Sequence, residues 1–216
     1  MKISHFLGIA ITFVMFGFST NLSKSTEIIT IYGDLDKDKV DEKIVVCELE
    51  KLNDSGKIRT IEIFKKNGDF WEEWIPASQT AIMGSTAGGQ MGDPFFNKTI
   101  IVKKGTLIIK HEGGSSWKWN VTHKYRYQNG IMQLVGYTTK YGKDCENWVN
   151  FDYNLLSGNA AYSKEFQKCE SDGIPTIIKT DDEMFIKKLN KNITLQTINN
   201  KSIEIITPKY KETITF

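Results

Sequence analysis

Apolar and polar residues alternate with a period of two along most of the chain. Glu27–Tyr32, Lys43–Leu49 and Ile58–Phe64 are rich in β-branched residues and read as strands. Thr99–Lys103 and Thr106–Lys110 flank Lys104-Gly105, and Trp117–Tyr127 is joined through Asn129-Gly130 to Met132–Thr139. Asn-Gly between alternating runs is a strong hairpin signal, because both residues take a left-handed φ readily. Val149–Asn154, Ala161–Phe166, Thr176–Lys179 and Ile203–Thr207 add short strands. Asp181–Leu189 reads as a helix, acidic at its start and lysine-rich at its end, which suits the helix dipole. Turn signals recur about every ten residues, the rhythm of an all-β fold. The expectation is a mainly β protein of antiparallel sheets, sandwich or partly propeller-like, with one short C-terminal helix. Residues 26–180 form the β domain, with 181–216 docked on it.

Residues 1–25 read as a secretory signal. Lys2 supplies the positive end, and Phe6–Phe18 is an uncharged apolar run, shorter than the roughly 20 residues a membrane span needs. Small residues for cleavage follow at Gly17 and Ser19, or at Ser23 and Ser25. This segment holds Lys2 and Lys24 and no acid. The net charge of +2 therefore belongs to it, and the rest of the chain balances 26 basic against 26 acidic side chains. That balance gives no bulk attraction for nucleic acid. Of three cysteines, Cys47 sits in a strand pattern and reads as a buried thiol. Cys145 and Cys169 lie in polar contexts and are a candidate disulfide pair if the compartment is oxidising.

Charge is concentrated in one place. Residues 33–42 read Gly-Asp-Leu-Asp-Lys-Asp-Lys-Val-Asp-Glu, between two strands. Carboxylates at alternate positions of a tight loop can all turn inward, and Ca²⁺ wants six to eight oxygens. The candidate ligands are Asp34, Asp36, Asp38, the Val40 carbonyl and Glu42. Without a cation these acids would repel one another. Strands on both sides, and Val45 at position 12, exclude an EF-hand. The loop resembles the FG-GAP/VCBS calcium hairpin of integrin-like β-propellers, present here as a single copy. That resemblance implies a structural calcium on the same five residues. Lys39 departs from the family's glycine, which takes a positive φ cheaply. Lys37 adds positive charge beside the ion. The wider layout, with Gly88-Gly89-Gln90-Met91-Gly92-Asp93-Pro94 and then Gly113-Gly114-Ser115-Ser116-Trp117, is similar to that of secreted bacterial proteins. It implies no activity.

Other residues carry weaker chemistry. The Gly-rich stretch 84–94 lacks the Lys-Ser/Thr of a phosphate-binding loop and reads as a long surface loop. His111 and Glu112 with Asp93 are a hydrolase candidate for glycan or peptide, though no GxSxG elbow is present. Trp117, Trp119, Tyr125 and Tyr127 share one strand parity and read as core or as an exposed aromatic platform. Trp71 and Trp74, three apart, suit a turn. Gly88, Gly89, Asp93, Trp117 and Trp119 form the candidate binding surface. The expected function is that of a secreted or periplasmic, calcium-stabilised binding module whose partner is a protein or a glycan. An inhibitor- or immunity-type protein and a glycan- or peptide-acting hydrolase stand as alternatives.

Overall fold

A computed structural model describes residues 25–198 and 203–216. The secretory signal expected over 1–25 lies, apart from Ser25, outside them. Four strands form one antiparallel meander: β1 (Ser25–Gly33), β2 (Glu42–Asn53), β3 (Gly56–Asn67) and β4 (Phe70–Ser78). A second sheet of seven strands runs, in order across the sheet, from β11 (Pro175–Ile186) through β10 (Asn159–Cys169), β9 (Asn147–Asn154), β8 (Ile131–Lys143), β7 (Lys118–Gln128) and β6 (Thr106–Gly114) to β5 (Ile100–Lys103). β12 (Glu204–Ile206) and β13 (Thr213–Thr215) make a small ribbon. Neighbours in sequence are neighbours in each sheet, so short turns suffice throughout. The architecture is mainly β, antiparallel and sandwich-like.

The sheets bury one shared core. Alternate residues of β2 and β3 (Ile44, Val46, Ile61, Ile63) join Leu107, Ile109, Tyr125, Tyr137, Phe151 and Tyr153 of the larger sheet. The ribbon adds Ile205, Ile214 and Phe216. The Asn129-Gly130 turn has φ of 52° and 83°, as its sequence requires. Lys104-Gly105 does the same at 52° and 71°.

Two expectations fail. The segment expected to be helical is a strand, because β11 runs through Asp182, Met184 and Ile186 with a burial period of two. The β-branched run Thr176-Ile177-Ile178 starts the strand, and pairing with β10 carries it on past Asp181 to Ile186. Tertiary pairing outweighs the modest helical preference of DDEMF. Trp71 and Trp74 lie in β4 and not in a turn. Register shifts against β3 place Trp74 on Tyr127, ring centroids 4.3 Å apart, while Trp71 packs on Tyr32 at 5.9 Å.

Cys145 and Cys169 are joined by a disulfide, with Cα atoms 4.9 Å apart. It ties the β8–β9 turn to the end of β10. Cys47 is a free, buried thiol. No described helix is long and apolar enough to cross a membrane.

Candidate metal centre

The β1–β2 connection closes on the pair Gly33↔Glu42 and leaves residues 34–41 as the loop. The loop is organised by its own carboxylates. Asp34 accepts N–H bonds from Lys37 and Lys39 (2.5 and 3.1 Å), Asp36 one from Asp38 (3.2 Å), and Asp38 one from Val40 (2.8 Å). These bonds turn the backbone inward through left-handed φ at Lys37 (67°) and Lys39 (73°). Lys39 thus takes a conformation that glycine adopts cheaply, at a cost of about 1 kcal/mol. Gly33 lets the loop lie on β5, because a Cβ there would meet Val102 at 2.4 Å.

Glu42 is the decisive side chain. It opens β2 on the same face as Ile44 and Val46, so strand parity carries a carboxylate into the interior. Its relative exposure is 0 %. Oε2 accepts the Leu35 N–H at 2.7 Å, whereas Oε1 has no hydrogen-bond partner. Ligand atoms of Asp34, Asp36 and Glu42 lie within 4.8 Å of one another. Burial pushes the Glu42 carboxyl up, and Asp36 and Asp38 add to the push, against the Leu35 N–H and Lys65.

Lys65 enters this cluster from β3. The β2–β3 ladder ends at the pair Lys43↔Phe64, next to Glu42 on one strand and Lys65 on the other. The ammonium hydrogen-bonds Asp36, lies 2.8 Å from Asp38 Oδ2 and 3.6 Å from Glu42 Oε1, and stands 5.0 Å over the Trp74 ring. Hydrogen bonds to Asp36 and Asp38 raise the Lys65 pKa, and that to Lys65 lowers the Asp38 pKa. The structure therefore brings Asp34, Asp36 and Glu42 together directly and holds Asp38 to them through Lys65. Val40 is an exposed loop residue.

The other candidate surface is pinned from within. Arg59 is buried on the core face of β3 and forks onto Asp93 at 2.6 and 2.7 Å, with Glu48 at 3.1 Å. Gly88 accepts the Gly114 N–H at 2.8 Å, so the Gly-rich loop docks on β6. A short 3-10 turn, Gly89–Met91, caps it. Trp117 is exposed, but Trp119 is half-buried above Gly113, and Tyr125 is fully buried. Tyr125 and the half-buried Tyr127 join the core, and Trp117 and Trp119 do not. His111 and His123 are buried neutral imidazoles, pushed down to about 3 and about 4 by desolvation. His111 Nε2 accepts the Met83 N–H at 3.2 Å, Asp93 is held by Arg59, and Glu112 faces away to Asn97. Each member of the hydrolase candidate is engaged elsewhere.

Sequence reasoning missed Lys65 and Arg59. Arg59 left a signal, a lone cation at the parity of Ile61 and Ile63 that demands a buried carboxylate. Lys65 left none before the strand register was known. Searches of protein-family models, curated proteins and solved structures find no match to the chain.

Proposed function

We propose that this is a secreted or periplasmic β-sandwich stabilised by one calcium ion at the 34–42 hairpin, serving as a binding or interaction module. The observation that carries the reading is the buried Glu42 carboxylate. A buried carboxylate clustered with Asp34 and Asp36, whose Oε1 has no hydrogen-bond partner and only the Lys65 ammonium at 3.6 Å, is the acceptor geometry a hard cation satisfies. Asp34, Asp36, Asp38 and Glu42 supply carboxylate oxygens, with the Val40 carbonyl as the fifth ligand of the single FG-GAP/VCBS-type hairpin. In the metal's absence Lys65 is the resident cation. The ion must displace it, which sets the affinity below that of an all-acidic cage. The Cys145–Cys169 bridge and the apolar run at Phe6–Phe18 support an exported protein.

Among partners, a protein is favoured over a glycan. Met91 (45 % exposed) and Phe96 (50 % exposed) stand out from the pinned 84–96 segment, whereas Trp119 is too covered for a sugar platform. An inhibitor- or immunity-type role fits that surface.

Thermal unfolding with calcium and with chelator tests the metal. The expected result is a higher melting temperature at millimolar calcium, and equal melting temperatures would remove the ion from the account.

A further inference from the structure

The outer face of the seven-stranded sheet carries a hollow that the calcium reading does not use. One row across it runs Ile108, Lys124, Gly136, Asn154. Gly136 has no side chain to fill its place, and a Cβ there would press on the Lys124 stem at 3.0 Å. The next row, Thr106 and Arg126, lines the same depression. The left-handed Lys104-Gly105 turn closes one end and brings Lys103 and Lys104 to the rim. The result is a cleft of about 310 Å³ with four cationic side chains and one acid, Asp152.

Of the four cations only Lys124 has an ion-pair partner among the described residues, Asp152. Arg126 Nε donates to the Thr106 hydroxyl at 3.0 Å, which fixes the plane of the guanidinium and leaves its outer fork free of acceptors among the described residues. Lys124 bonds the Thr138 hydroxyl at 3.4 Å and lies 3.8 Å from Asp152, which itself accepts from Thr138. Among the described residues, Lys103 and Lys104 form no ion pair. In a chain whose charges otherwise balance, this is a local excess aimed into a concavity. A planar fork with ammonium groups around it matches the oxygens of a doubly charged phosphate.

We propose that this cleft binds a phosphate monoester of sugar-phosphate size, with the phosphoryl oxygens on Arg126, Lys124, Lys103 and Lys104. Asn154 also lines the cleft, with its Oδ1 taken up by the Leu156 and Ser157 N–H groups. The assignment does not rest on the calcium reading, although the Lys104-Gly105 turn lies against Leu35 and Lys37 of that hairpin.

Isothermal titration of the whole chain in chelator tests it, with inorganic phosphate, glucose 6-phosphate and glucose as probes. Expected are one-to-one binding of glucose 6-phosphate, weaker binding of inorganic phosphate and none of glucose. Arg126→Gln is exposed, and its loss weakens the phosphate ester by about tenfold. The double variant Lys118→Gln/Lys168→Gln removes exposed charge elsewhere and leaves affinity unchanged. No heat from either phosphate at ~10 mM would overturn the proposal. So would equal weakening by both variants, which would reduce the effect to general surface charge. Inorganic phosphate binding as tightly as the ester would overturn the sugar-phosphate assignment.

Discussion

Lys65→Met separates the roles of the resident ammonium and the metal. The ammonium lies 3.6 Å from Glu42 Oε1 and 2.8 Å from Asp38 Oδ2, and it also bonds Asp36. One contact at 3.6 Å is worth about 1 kcal/mol at the dielectric of water and about 5 kcal/mol at an effective value of 20. The side chain is 31 % exposed and loses hydration to reach the cluster, so a net of about 2 kcal/mol is reasonable. In chelator, Lys65→Met therefore unfolds about 4–8 °C lower than the parent, for a chain of this size. In saturating calcium the difference closes, because the metal no longer displaces an ammonium in the variant. The same 2 kcal/mol becomes roughly 30-fold tighter calcium binding. Methionine keeps an apolar stem of similar length, and the ammonium lost with it includes the contact 5.0 Å over the Trp74 ring. Thermal melts of both proteins across a calcium series read both numbers. An unchanged melt in chelator together with an unchanged calcium midpoint would refute the reasoning.

Three further outcomes follow from the geometry. Lys39→Gly relieves the left-handed strain at φ 73° and raises stability by about 1 kcal/mol in urea unfolding; a loss of stability would show that the Lys39 side chain contributes more than its backbone costs. His111 and His123 are held at about 3 and about 4 when folded, against about 6.5 unfolded, so the unfolded state binds more protons between those values. Stability is full above about pH 6.5 and falls toward pH 4, by about 2 kcal/mol per histidine at about pH 5. His123→Phe removes about half of that slope, and a flat profile in the parent would contradict burial of both rings. Breaking the Cys145–Cys169 bridge with Cys145→Ser/Cys169→Ser costs roughly 3 kcal/mol in the chain-entropy treatment, since it closes a separation of 24 residues. Reducing agent should reproduce that loss in the parent and leave the double serine variant unaffected.

Most strands were readable because period-two alternation and turn chemistry agree locally, as at Asn129-Gly130. β4 was not, because its register shifts break the alternation of Trp71 and Trp74. β11 was misread because Asp181-Asp182-Glu183 looks like the start of a helix, while its strand state depends on β10, whose pairing sequence spacing does not reveal. At the candidate metal centre, the acidic spacing identified Asp34, Asp36 and Glu42 from local sequence alone. The burial of Glu42 was implicit in its parity with Ile44 and Val46. Lys65 is a cross-strand partner more than twenty residues away, so only the β2–β3 register exposes it. Asp93 looked available in the sequence and is held by Arg59, a contact 34 residues distant.

The central claim is that the 34–42 hairpin holds one calcium ion on Asp34, Asp36, Asp38, Val40 and Glu42. The direct measurement is calcium stoichiometry by isothermal titration, on the parent and on Asp34→Asn and Glu42→Gln. The account predicts one ion per chain in the parent and loss of binding in both variants, each still folded by circular dichroism. No bound ion in the parent at millimolar calcium, or a stoichiometry of one retained in Glu42→Gln, would contradict it.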